Sequence, residues 1–156
     1  MKATKPVFVM LMVFITFSTF SQLNPSNLTT YPDVEATGIN DVLCDQKGNI
    51  WIAAQSGLMR YDGYDVIRYH SDPQDSTTVG DLLTYSLFEA SNGIIWIGGF
   101  DFISAYNPET ETFINYNYLH LTDYPPGSQP NVWFIAEGSH GRIFFGVVPS
   151  IELKGG

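Results

Sequence analysis

Three segments of this chain lie under one another: INDVLCDQKGNIWIAA from Ile39, TYSLFEASNGIIWIGG from Thr84 and VWFIAEGSHGRIFFGV from Val132. Gly48, Gly93 and Gly141 coincide, followed at a fixed offset by Trp51, Trp96 and Phe144 and then by Ala53, Gly98 and Gly146. The spacing is 45 and then 48 residues, a period shared by blade-type and some helical repeats. Local patterning separates the two. Asn49 to Ala54 and Ile94 to Gly99 are short apolar runs rich in Ile and Trp, bounded by Gly, Asn and Asp and too short for a helical face. They read as strands.

The first repeat divides into four strands, Asn40 to Asp45, Asn49 to Ala54, Leu58 to Asp62 and Asp65 to His70, with Asp62-Gly63 as hairpin chemistry. The second divides into Tyr85 to Ala90, Ile94 to Gly98, Ile103 to Asn107 and Thr112 to Tyr116. Four antiparallel strands in a repeat of this length make one propeller blade. The expected fold is therefore all-β, a partial β-propeller of two full four-stranded blades plus an incomplete third. Blade 1 covers 39–70, an inter-blade loop 71–81, blade 2 82–117, and a linker with the incomplete blade 118–156, its third strand at about Ser150 to Lys154. A closed ring needs about four to eight blades, so the expected partners include further blades, in cis or on another chain. By this reading the chain is the N-terminal part of a larger protein, or a remnant of one.

Met1 to Pro6 carries two lysines, and Val7 to Phe20 is an apolar run ending beside Thr19 and Ser21. That order of basic, apolar and small residues is the pattern of a secretory signal, over 1–21, and the run is shorter than the ~20 residues a spanning helix needs. A lead-in over 22–38 follows, and the expected location is periplasmic. Lys plus Arg number 7 against 16 Asp plus Glu, for a net charge of -9, which excludes the cationic surface that nucleic acid or anionic membrane demands. The single Cys44 excludes an internal disulfide; its strand position suggests a small buried hydrophobe.

DQKGNIWIAAQSGLMRYDGYDVIRYHSDPQDS, from Asp45 to Ser76, resembles the two-component regulator propeller repeat, and SNGIIWIGG with AYNPETETFINY repeats the pattern. The second repeat departs from it at Phe100-Asp101-Phe102-Ile103, where the pattern has Gly-Leu, and the third at Phe144, where it has Trp. The resemblance implies the periplasmic sensor region of hybrid histidine kinases, many of which detect glycans, and hence a role in signal transduction. Complete members of that family also carry a membrane anchor and output modules. This sequence holds no G-x-x-x-x-G-K-[ST] motif and no receiver aspartate, so the expectation is a sensing module and not an enzyme. The alternative is a fragment of an exported propeller enzyme acting on polysaccharides, since fold alone does not decide.

Candidate ligand-binding residues are the loop-proximal aromatics Tyr64, Tyr85, Tyr118, Tyr124 and Trp133. Gly48, Trp51, Gly93, Trp96, Gly141 and Phe144 are expected to be structural, the aromatics packing between blades. Ser139-His140 aligns with turn positions Gln46-Lys47 and Ser91-Asn92 and reads as turn filler; Glu109 and Glu111 flank a hairpin turn. His70 and His120 stand alone, and Asp72, Asp75 and Asp81 lack a calcium-loop register. No metal or cofactor is expected.

Overall fold

Apolar runs of about five residues punctuated by glycine turns bury both faces only when sheet stacks on sheet. The computed structural model describes residues 36–116 and 129–150, all within the unit Pro32–Gly156. Strands β1 (Ile39–Cys44), β2 (Ile50–Ala54), β3 (Gly57–Tyr61) and β4 (Val66–Tyr69) form one antiparallel sheet in sequence order. A second sheet of the same order holds β5 (Thr84–Glu89), β6 (Ile95–Gly99), β7 (Ile103–Asn107) and β8 (Thr112–Tyr116). The third pairs β9 (Gln129–Glu137) with β10 (Ile143–Ser150). Strand limits in the first two sheets fall within a residue or so of those expected. In the third, β10 continues through Ser150, where the expected third strand begins; the rest of that strand, like the signal over 1–21, lies outside the described residues.

The sheets stack face to face. Trp51, Ala53 and Leu58 of the first sheet meet Leu87, Ile95, Ile97, Tyr106 and Phe113 of the second in one buried cluster. Ile103, Trp96 and Val132 with Ile135, Phe145 and Val147 form the next interface. Each fully buried side chain of this size contributes about 1.5–3 kcal/mol. Polar ties recur at the repeat spacing. Gln46 N–H donates to Glu89 Oε2 at 2.9 Å, and Ser91 N–H donates to Glu137 Oε2 at 2.7 Å, with Ser91 Oγ on Glu137 Oε1 at 2.6 Å. Hydrogen bonds from the Ser91 hydroxyl and amide hold the Glu137 carboxyl below its ordinary range.

One expectation is corrected. Cys44 is exposed rather than buried. Together with Val42 it projects from the face of the first sheet opposite to the second, where no described sheet covers it. Phe144 is 57% exposed, whereas Trp51 is fully buried. Trp51 has a sheet on the far side; Phe144, on the outer face of the third, has none among the described residues.

The turn that broke the repeat pattern has a packing cause. In blade 1 the β2–β3 turn uses Gly57 at φ +120. Phe102 stands at that position in blade 2, and the positive φ moves back to Asp101, at φ 60. The Phe102 ring, 7% exposed, lies against Gly80 and Gly99, where no Cβ intervenes.

The repeated tryptophans are served unequally. Asp45 accepts Trp51 Nε1–H at 2.8 Å, Asn49 Nδ2–H at 2.8 Å, and the amides of Lys47 and Asn49 at 3.0 and 2.8 Å. In blade 2 the position of Asp45 is Ala90, and the buried Trp96 Nε1–H has no acceptor. Blade 3 has Gly138 and Phe144 there, with neither acceptor nor donor. A buried donor without a partner costs about 1–3 kcal/mol. Ala90→Asp is therefore expected to raise stability by about 1 kcal/mol in urea denaturation, and to lose that gain when combined with Trp96→Phe. An equal gain in both backgrounds would contradict the pairing.

Candidate functional site

An extra residue in a strand is left out of the ladder and its side chain is re-aimed, which is why bulges gather beside binding sites. Every first strand here carries one at the same place. Ile39 pairs with Ala54 and Asp41 with Ala53, leaving Asn40 over. Thr84 pairs with Gly99 and Ser86 with Gly98, leaving Tyr85. Val132 pairs with Val147 and Phe134 with Gly146, leaving Trp133.

The three bulged residues form a series across β1, β5 and β9. Asn40 Nδ2–H donates to Thr84 O at 2.8 Å, tying the first bulge to the second. Tyr85 and Trp133 meet with ring centroids 4.7 Å apart and planes at 42°. Trp133 is 41% exposed and Tyr85 partly so. Behind them the strands are fixed by buried polar contacts: Ala54 N–H donates to Thr84 Oγ1 at 2.9 Å, and Ser86 Oγ–H donates to Val132 O at 2.8 Å. The result is a pair of packed aromatic rings, partly open to solvent and backed by hydrogen-bonded strands, with the chemistry to stack on an apolar surface of a ligand.

Of the aromatics expected to bind ligand, the structure brings Tyr85 and Trp133 together. Tyr64 is 92% exposed in the β3–β4 turn, at the opposite end of its blade. Tyr118 and Tyr124 lie outside the described residues. Asn40 was not among the candidates, although the alignment of Asn40 with Tyr85 and Trp133 carried the signal.

Several of the remaining polar groups are engaged in structure. Asp72 Oδ1 accepts from Gln74 N–H, and Asp75 Oδ1 accepts from the Thr77 amide and hydroxyl, so both serve the inter-blade loop. Asp81 Oδ1 accepts from Leu82 and Leu83 N–H. Glu111 reaches Arg60 of the neighbouring blade at 3.9 Å. Ser139 and His140 are exposed in a tight 3-10 turn, Ser139–Gly141. A cleft of about 320 Å³ holds Asp72, Asp101, Phe102, Asn115 and Tyr116; burial, then the nearby Asp81, raises the Asp101 carboxyl above its ordinary value. No three His, Cys, Asp or Glu side chains among the described residues converge as metal ligands. Nor is any described helix long and apolar enough to cross a membrane.

No protein-family model matches the chain, and no curated protein matches it. Among solved structures the chain is similar to the extracellular domain assigned to a hybrid two component system of B. thetaiotaomicron, with a TM-score of 0.54 and 22% identity. The likeness covers 70% of this chain and 14% of that one. These are propeller blades. The chain spans a small part of the structure it matches, so two blades and the start of a third are what the likeness supports.

Proposed function

We propose that the chain is the N-terminal part of a ligand-sensing propeller belonging to an exported two-component receptor, and that it is not itself an enzyme. Its ligand is a glycan, which stacks on Tyr85 and Trp133. The series of strand bulges at Asn40, Tyr85 and Trp133 carries this reading, because it places a rigid aromatic surface at one register in successive blades. The sequence resemblance to the regulator propeller repeat and the fold shared with an extracellular domain of a two component system support it.

Two measurements test it. Binding of neutral polysaccharides to the protein by isothermal titration is expected to weaken about tenfold, or ~1.4 kcal/mol, on Trp133→Ala or Tyr85→Ala, and to be unchanged on Tyr64→Ala. Equal affinity in all variants with unaltered melting would remove the glycan site, and new reducing ends on incubation would replace sensing with hydrolysis. An immunoblot of fractionated native cells is expected to show a membrane band far larger than the 17.4 kDa of this chain. A small soluble band would remove the receptor.

A further inference from the structure

We propose that Asn40 and Ser86 are positioning residues of the aromatic site. Each reaches from one blade to hold the carbonyl that precedes a bulged ring on the next, and together they set the geometry of the Tyr85–Trp133 pair and its affinity for what stacks on it. The statement about affinity rests on the reading of that pair as a ligand surface; the statement about geometry rests on the contacts between blades.

A residue left out of the ladder at a bulge has no cross-strand partner to fix its direction, so its side chain follows the peptide just before it. For Tyr85 that peptide carries the Thr84 carbonyl, and for Trp133 the Val132 carbonyl. Thr84 O accepts Asn40 Nδ2–H of the first sheet at 2.8 Å, and Val132 O accepts Ser86 Oγ–H of the second at 2.8 Å. Thr84 and Val132 are fully buried, so removing either donor leaves a carbonyl that water reaches poorly. Blade 1 also grips Thr84 by its side chain, whose Oγ1 accepts Ala54 N–H at 2.9 Å.

The two ties perform one task with residues from different positions. Asp41 stands in the first repeat where Ser86 stands in the second, but its carboxylate accepts Leu87 N–H at 2.9 Å, and an ionised carboxylate has no hydrogen to give a carbonyl. The donor to Thr84 O comes instead from the bulged residue itself, Asn40. This accounts for an amide at the first bulge where the next two carry rings: Asn40 is the prop of the ring beside it. Tyr85 and Trp133 belong to different blades and meet at 4.7 Å, so they form one surface only while each is aimed at the other. A ligand lying across both favours that arrangement by the same free energy with which the arrangement favours the ligand.

Fluorine NMR of the full chain labelled with fluorotryptophan tests the proposal, because Trp51, Trp96 and Trp133 each give one line and the ring current of Tyr85 acts on that of Trp133. Tyr85→Leu marks where the line falls without the pair. Asn40→Asp keeps the shape of the side chain and removes its donor; Ser86→Ala removes the hydroxyl. In both, the Trp133 line is expected to move toward its position in Tyr85→Leu while the Trp51 line stays in place. Glu137→Ala, which cuts the tie at the far end of the interface between blades 2 and 3, is expected to leave the Trp133 line where it was. Affinity for soluble starch, β-glucan or galactomannan, whichever the parent binds, is expected to fall on the order of fivefold in Asn40→Asp and Ser86→Ala. A Trp133 line that stays put in both variants, or moves as far in Glu137→Ala, overturns the proposal, and so does unchanged affinity in a parent that binds through Trp133. If none of the three polysaccharides binds the parent, or if Trp133→Ala binds as the parent does, it is the glycan reading that fails, and the fluorine lines by themselves decide whether Asn40 and Ser86 aim the rings.

Discussion

Gly99→Ala is expected to lower stability by about 3 kcal/mol or more, a large share of the ~5–15 kcal/mol that holds a domain together. A Cβ at Gly99 would collide with the Phe102 ring and stand 2.6 Å from Leu83 O. Gly80 lies against the same ring, where an added Cβ would stand 2.7 Å from it, and the clash with Leu83 O is with backbone, which cannot swing away. Blade 1 shows the alternative solution at the same two positions, Ala54 with Gly57. The double variant Gly99→Ala/Phe102→Gly restores that combination, and its loss is expected to fall short of the sum of the single losses by about 1–3 kcal/mol. Urea denaturation of the four proteins gives the coupling directly. Strict additivity would mean that ring and glycine do not share one space.

The same turn shows where the sequence is legible. Repeated Gly-x-x-Trp spacing and short Ile- and Trp-rich runs were enough to place the strands of both full blades, because strand limits are set locally by turn glycines and by apolar alternation. Gly48, Gly93 and Gly141, all at positive φ, mark the first turn of each blade. What the alignment could not state was how a departure is absorbed. Phe102 in place of glycine reads as a lost turn, yet the strain simply moves to Asp101, and the ring enters the core between two glycines distant in sequence.

The candidate site was legible in part for a related reason. Tyr85 and Trp133 stood out as aromatics near loops, but Tyr64 satisfied the same criterion and proved to be a lone exposed ring at the other end of its blade. Their difference is one of register. A bulge leaves no mark on composition, and it becomes visible only when the partner strand is counted against it. Cys44 fails in the same way: a cysteine in a strand is usually buried, but which face of the first sheet is covered depends on a neighbour that local sequence does not name.

Trp51→Ala is expected to cost about 4 kcal/mol, while Trp96→Phe, in which lost packing of the indole on Tyr116 and Phe145 offsets the relief of an unpaired donor, is expected to change stability by less than about 0.5 kcal/mol, though the two tryptophans occupy the same place in successive repeats. Trp51 is fully buried, stacked 5.5 Å from Tyr69, with Tyr106 edge-on at 5.0 Å and the Arg60 guanidinium over its ring at 5.6 Å. It also donates one of the four hydrogen bonds that Asp45 accepts. Burial by itself would raise the Asp45 carboxyl; the bonds from Asn49, Trp51 and Lys47 outweigh it and hold the group below its ordinary value of 3.8. A folded-state value lowered in this way stabilises fully above the unfolded value, and the contribution disappears as pH falls through the lowered one. The milder Trp51→Phe removes one of those bonds, so the folded value of Asp45 moves back toward the ordinary one, and acid unfolding is expected to begin at higher pH. Trp96→Phe removes a donor that had no acceptor, and its acid limb is expected to follow that of the parent. Circular dichroism followed from pH 7 to pH 2 on the two phenylalanine variants separates the cases. Coincident acid limbs for Trp51→Phe and the parent would show that the indole contributes packing alone, and that Asp45 is held low by the turn amides and Asn49 without it.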